Sequence, residues 1–293
     1  MSYNFETLGN ELGSAIVNLE AIKRLYGAST LLNRLGITGI GETLPEVNAP
    51  NTQNVPFSME AVVVCDHYSD FLVHTLPHTK FLFDKIVVVT SYEDKETQRV
   101  CEFHHVMCIK TDELMSRKGE FHKGKGINEG LQQLSMKGWV VHMDADIYLP
   151  PQTRILIERA KLDPTFIYGI DRFIVKGYKE WATFTAMPKL QQEAETYIHL
   201  NNSFPLGTRV MHGFAGGWLP IGYFQMFNPL VTGIKTYPDA HTNAGRGDTL
   251  FAEQWPRSKR ALIPEIVGYH LESINSSMAA NWNGRTTLPF LPE

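Results

Sequence analysis

From Leu12 to Leu35 the apolar residues Leu12, Ile16, Leu19, Ile22 and Leu25, then Leu31, Leu32 and Leu35, recur at three- and four-residue steps. This spacing predicts a helical hairpin or cap with a break near Gly27, packed on the main body, forming an oligomer contact or serving an acceptor. Thr43 to Phe57 carries Pro45, Pro50 and Pro56 and reads as an extended connection. The pattern then changes to short, continuous apolar runs. Ala61 to Cys65, Lys85 to Thr90, Val106 to Lys110 and Trp139 to Met143 are rich in β-branched residues and predict buried strands. Ile127, Leu131 and Leu134 place a helix between the third run and the fourth. Strands apolar on both faces and separated by helices predict an α/β fold with a mostly parallel sheet covered on both sides. In such sheets ligands lie beyond the carboxyl ends of the strands. Asp66, Ser91 and Asp144 each follow a predicted strand, so they gather on that edge. Beyond Pro151 the pattern predicts a helix over 152–161, a strand over 165–170 and a helix over 189–199. The stretch from Gly213 to Phe227 is rich in glycine and aromatic residues, and either lines a pocket or turns tightly between two core strands.

The 293 residues, 43% hydrophobic and 20% charged, suffice for one large domain or two packed halves, with no internal repeat. Lys plus Arg number 27 against 31 Asp plus Glu, so the global basic bias of nucleic-acid binders is missing. Cys65, Cys101 and Cys108 are odd in number and have no Cys-x-x-Cys spacing, which suits a reducing compartment. The chain shows no basic-then-apolar leader and no apolar run near the ~20 residues of a membrane span. A soluble cytoplasmic protein is the expectation.

Candidate chemistry concentrates in the run from Gly138 to Pro150, where an apolar strand ends in Asp144-Ala145-Asp146. Side chains alternate along a strand, so the two carboxylates project to one side. Anions that close call for a hard divalent cation with oxygen ligands, often one that also holds a phosphorylated substrate. The competing reading is a solvated strand-to-loop turn, since Asp favours turns. Zinc sites elsewhere are not indicated: Pro77 interrupts the helix between His74 and His78, and His104 and His105 are adjacent.

In their order, strand-end Asp66, the strand around Val87, Lys123-Gly-Lys-Gly126 with Asn128, and Asp144-Ala-Asp146 resemble a glycosyltransferase of the GT-A fold, of the family 2 type, over roughly residues 58–275. The resemblance implies a Rossmann-like GT-A sheet flanked by helices, with an N-terminal helical extension and linker over 1–57, a nucleotide-sugar half over 58–150 and an acceptor half with a C-terminal flap over 151–293. It implies that Asp66 and Tyr68 hold base and ribose, that Asp94 is the acidic position after the second strand, and that Lys123 and Asn128 face the nucleotide and its phosphates. The usual Arg is missing there, leaving open which of Lys123 and Lys125 faces the phosphates. Asp144, shared with the ribose, Asp146 and His270, within Val267 to Glu272, would hold Mn²⁺ or Mg²⁺. Asp248, within Gly245 to Trp255, would be the general base of an inverting transfer, or else a helix N-cap; Glu253 is the fallback base. Arg285, in Trp282-Asn-Gly-Arg285, would belong to a flap over the diphosphate, or else to a tail.

The implied activity is metal-dependent transfer of a hexosyl or pentosyl group from a nucleoside diphosphate sugar, a UDP-sugar foremost, to an acceptor hydroxyl near Phe214 to Phe227. The acceptor stays open among carbohydrate, lipid, protein, small metabolite and a hydroxylated DNA base, and the N-terminal helices offer a homo-oligomer contact. Two alternatives remain. One is a nucleotidyltransferase, although Cys65-Asp-His-Tyr-Ser-Asp70 lacks its Gly-rich signature; the other is a non-catalytic nucleotide-sugar or carbohydrate-binding protein.

Overall fold

A computed structural model describes residues 57–115, 120–186, 209–210, 213–214, 217–241, 243–277 and 280–292. The helices expected over 12–35 and 189–199, and the extended connection before Phe57, lie outside the described residues. The first apolar run becomes β1 (Met59–Val64), buried at all six positions. Helix α1 (Ser69–Thr79) follows, then β2 (Lys85–Ser91), α2 (Lys95–Phe103) and β3 (Met107–Thr111). Helix α3 (Lys123–Leu131) leads into β4 (Trp139–Asp144) and the short β5 (Ile147–Tyr148). The remainder comprises α4 (Thr153–Arg159), β6 (Ile167–Lys176), α5 (Tyr178–Thr185) and the two-residue strands β7 (Arg209–Val210), β8 (Gly213–Phe214) and β9 (Gly217–Trp218). After these come β10 (Phe224–Phe227), α6 (Pro229–Thr232), α7 (Gly247–Ala252) and β11 (Arg260–Glu272).

Among the described residues one sheet runs in the order β3-β2-β1-β4-β10-β6-β11-β5, with β7 on β6. Strands β1 to β4 pair in parallel, as their apolar character on both faces predicts. The second half is mixed: β10 lies antiparallel between β4 and β6, β11 runs parallel to β6, and β5 pairs antiparallel with β11. The strand predicted over 165–170 continues to Lys176, because residues 171–176 of β6 pair with β11 and Arg172 and Phe173 also pair with β7. The third run starts one residue late and its Met107 is 44% exposed, as befits the edge strand of the sheet.

The alternation of β1 divides the core. Ala61 and Val63 face Leu72, Leu76, Val141 and Ile157; Val62 and Val64 face Ile127, Leu131, Val140 and Phe251. Each of the Val, Leu, Ile and Phe side chains among them stabilises the fold by about 1.5–3 kcal/mol through removal from water. A third, aromatic cluster gathers Phe71, Tyr148, Phe173, Trp181, Phe184, Tyr269 and Phe290. Helix α3 approaches the sheet closely enough that a Cβ at Gly126 would overlap Leu114 and one at Gly130 would overlap Val62. Gly124 is pressed likewise against the Pro238 carbonyl. The glycines of Lys123-Gly-Lys-Gly126 therefore serve contact, and they set the first turn of α3 over the carboxyl ends of β1 and β4. The three cysteines are free thiols. No helix among the described residues is long and apolar enough to cross a membrane.

Candidate functional site

Strands β1, β2 and β4 end side by side at Val64, Ser91 and Asp144, and the loops beyond them form one edge. The Asp144-Ala145-Asp146 backbone is held from several directions. Its Ala145 carbonyl accepts Thr75 Oγ1 at 2.7 Å, the Asp146 carbonyl accepts the Leu271 amide at 2.9 Å, and the Asp144 amide donates to the Tyr223 carbonyl at 3.3 Å. The strand ends at Asp144, and Ala145, which is buried, and Asp146 form the turn into β5, so the strand alternation expected for the two carboxylates does not extend to Asp146.

The two carboxylates have different partners. Asp144 Oδ1 forms an ion pair with Lys123 Nζ, and Asp146 Oδ2 lies 3.3 Å from His270 Nε2. Asp146 Oδ1 is buried and has no hydrogen-bond partner among the described residues. Burial raises the Asp144 carboxyl despite the pull of Lys123, whereas for Asp146 the neighbouring His270 overcomes burial and holds the carboxyl low. Lys123 is raised: burial works against its charge, but the carboxylates of Asp144, Asp248 and Asp146 prevail. Lys125, two residues on, pairs with Glu113 at 2.7 Å on the exposed side, so Lys123 is the lysine at the carboxylate cluster.

On β11, His270 Nδ1 lies 2.7 Å from Arg172 Nη1, and the Arg172 guanidinium lies 4.1 Å from the ring centre of Tyr223. Arginine only donates, so Nδ1 accepts and the neutral ring carries its proton on Nε2, facing Asp146. Nε2 would have to give up that proton to bind a cation. The partnerless carboxylate oxygen of Asp146 is the kind of donor that Mn²⁺ or Mg²⁺ takes, and with His270 beside it the residues fit such an ion. No three His, Cys, Asp or Glu side chains among the described residues are grouped to hold a metal ion by themselves. Part of the coordination would fall to a ligand or water.

Asp248 is the second residue of α7, not its N-cap, which is Arg246. Its Oδ2 accepts the Gly222 amide at 2.9 Å and its Oδ1 the Thr249 amide at 2.7 Å. It is near enough to Lys123 to raise that ammonium's pKa. Glu253 is exposed at the other end of α7. Asp66 accepts the Ser91 hydroxyl at 2.5 Å, and Tyr68 stacks on Phe71 at 5.4 Å. The Tyr68 hydroxyl is raised by burial and then by the negative charge of Asp146. Asp66 and Tyr68 lie in the loop after β1, and the Tyr68 hydroxyl, Asp144, Asp146, Lys123, Asp248 and His270 are linked by contacts or charge.

Three residues expected to touch the donor are committed elsewhere. Asp94 is 3% exposed and caps α2: its Oδ1 accepts the Thr97 amide, while its Oδ2 accepts the His67 amide at 2.6 Å. Asn128 grips the backbone of Tyr237 at both ends, accepting its amide at 2.7 Å and donating to its carbonyl at 2.9 Å. Arg285 forms a two-pronged pair with Asp70. In each case nearby backbone or a carboxylate satisfies the group. Arg172, Gln225 and Tyr237 were not singled out from the sequence. Gln225 Nε2 donates to the Asp248 carbonyl at 2.8 Å and its Oε1 accepts from Tyr237 at 3.1 Å. The available signal was a polar residue inside an apolar strand: Asp171-Arg172 within β6 and Gln225 within β10.

No protein-family model matches the chain, and no curated protein matches it. Solved structures do. The chain is similar to glucosyl-3-phosphoglycerate synthase from Mycobacterium tuberculosis in complex with Mn²⁺ and UDP-glucose, at 12% identity and a TM-score of 0.41 over 76% of this chain and 73% of that one. The same enzyme with Mn²⁺, UDP and glucosyl-3-phosphoglycerate aligns at 12% identity and a TM-score of 0.39, covering 73% and 70%. Mannosyl-3-phosphoglycerate synthase from Rubrobacter xylanophilus aligns at 20% identity and a TM-score of 0.31, and the chain covers 40% of its length and 40% of its own.

Proposed function

We propose that the protein is a metal-dependent glycosyltransferase that moves a sugar from a nucleoside diphosphate sugar to an acceptor hydroxyl. The observation that carries this reading is the partnerless buried oxygen of Asp146, set beside His270 and next to the Asp144–Lys123 pair at the carboxyl edge of the parallel strands. Asp146 and His270 would hold Mn²⁺ or Mg²⁺, and the ion would offset charge on the diphosphate leaving group. Lys123 would leave Asp144 for a phosphate oxygen. Asp66 and Tyr68, in the loop after β1, would face base and ribose, and the residues from 58 to 150 would form the donor half. Asp248 would accept the acceptor's proton, because each of its oxygens keeps a lone pair beyond the one that takes a backbone amide. Displacement with that base inverts the anomeric centre.

UDP-sugars are the first donors to test, in a panel of nucleotide-sugars with Mn²⁺ and with Mg²⁺, following nucleotide release with and without chelator. Release that needs the metal and falls at least tenfold in Asp146→Asn supports the reading; release indifferent to both removes the metal from it. Pyrophosphate release from a nucleoside triphosphate would instead indicate a nucleotidyltransferase.

A further inference from the structure

We propose that the C-terminal stretch from Trp282 to Phe290 is a latch that shapes the loop after β1, with Arg285 as its positioning residue. The identification of that loop as donor-binding rests on the function proposed above. The loop turns through His67, whose φ of +59° is a left-handed conformation that a non-glycine residue adopts at a cost. Two charged groups hold it there from opposite sides. Asp94 accepts the His67 amide at 2.6 Å, and Arg285 Nη1 donates to the His67 carbonyl at 2.7 Å.

The guanidinium of Arg285 has further commitments. It pairs with both oxygens of Asp70, donates to the Leu288 carbonyl at 2.9 Å, and lies 4.9 Å and 5.1 Å from the ring centres of Tyr68 and Phe71. Both members of the Arg285–Asp70 pair are only 13% exposed. Asp70 Oδ2 also accepts the Phe290 amide at 2.5 Å, and the Phe290 ring is buried 4.8 Å from Phe71. At its other end the latch reaches the loop before α7. The Trp282 carbonyl accepts the Ala244 amide at 2.9 Å, and the Trp282 ring occupies the space a Cβ on Gly245 would need. One short segment thus joins the loop that carries Asp66 and Tyr68 to the loop that leads into Asp248.

Ordinary tail packing would need none of this fork geometry. A planar guanidinium that meets a carboxylate, a strained carbonyl and an aromatic face together is not replaceable by the point charge of lysine. Because docking of the latch and the shape of the loop are one equilibrium, a nucleotide that favours the shaped loop must also favour the docked latch.

The test measures binding of UDP with Mn²⁺ by calorimetry, and amide hydrogen exchange of the ligand-free protein, for the full chain and for Arg285→Gln, Arg285→Lys, Asp70→Asn and Trp282→Ala. Expected results are at least tenfold weaker UDP binding in Arg285→Gln and Asp70→Asn, and a double variant no worse than either single one. Exchange of the amides over 66–71 should be faster in both, with Arg285→Lys intermediate. UDP should slow exchange over 282–290 in the unaltered protein. Trp282 is 42% exposed, so its removal leaves the core filled; it should speed exchange over 243–247. Folded variants with unchanged exchange over 66–71 and unchanged UDP affinity overturn the latch. If the unaltered protein binds no nucleoside diphosphate, the donor reading fails, and exchange over 66–71 alone decides the latch: faster in Arg285→Gln supports it, unchanged overturns it. Should Arg285→Gln not fold, Arg285→Lys decides by the same two readouts.

Discussion

His142 gives the most quantitative prediction. It stands on β4 two residues before Asp144, fully buried, with its ring 5.2 Å from that of Tyr237 and opposite Gln225 across the strand pair. The amide of Gln225 is already bonded to Pro220, Asp248 and Tyr237. Burial, followed by the charge of Lys123, drives the His142 pKa well below its ordinary 6.5, and the opposing influence of Gln225 does not offset them. Below 6.5 the unfolded chain therefore takes up a proton that the native state refuses, and stability falls as pH falls through that window. For an unfolded-state value of 6.5, a ring kept neutral in the native state costs about 2 kcal/mol at about pH 5 and almost nothing at about pH 7.5.

His142→Leu removes the titrating group and keeps a side chain of similar bulk. Urea unfolding of both proteins at the two pH values gives four free energies. The unaltered protein should lose about 2 kcal/mol more than His142→Leu on acidification, because titrations common to both cancel in the double difference. Equal losses would refute the reasoning and mean that the ring takes up its proton inside the fold.

Gly130→Ala places a Cβ 2.5 Å from Val62 Cγ1 and 3.0 Å from Val89 Cγ2, and should cost about 1–3 kcal/mol, visible as a lower melting temperature; an unchanged melt would show that α3 can lift without penalty. Asp94→Ala deletes the α2 cap and the hold on the His67 amide, with an expected loss of about 1–2 kcal/mol in chemical denaturation. Lys123→Met leaves Asp144 without its counter-ion and should lose about 3 kcal/mol at neutral pH. Part of that loss should return on acidification, since a protonated Asp144 needs no cation; a loss independent of pH would argue against the pair.

The parallel half of the sheet was legible because each of its strands is apolar on both faces, a pattern that helices on both sides of a parallel sheet impose and little else does. β10 was less so. Its Phe224-Gln-Met-Phe227 is too short and too mixed to declare direction, and its antiparallel place between β4 and β6 depends on how the chain returns. The extension of β6 past Ile170 was hidden because Asp171 and Arg172 interrupt the apolar run. Polar residues inside a doubly laddered strand are tolerable when their partners are local, and that locality is a property of the folded backbone.

Of the candidate site, the sequence anticipated that Asp144, Asp146 and His270 would lie near one another, and it did not show which polar residues are already engaged with protein groups. Asp94, Asn128 and Arg285 have the charge or amide that a nucleotide site wants, yet each is engaged with protein groups: Asp94 with the His67 amide, Asn128 with the Tyr237 peptide, Arg285 with Asp70 and the His67 carbonyl. Composition cannot separate the two uses, because a carboxylate that binds a ligand and one that fixes a loop need the same donors. What separates them is whether a donor already lies within reach. At Asp146 Oδ1 none does among the described residues, although burial there makes an unmet oxygen costly by about 1–3 kcal/mol. A carboxylate oxygen held in that state, unlike the bonded oxygens of Asp94, has an unmet need that a bound cation would satisfy.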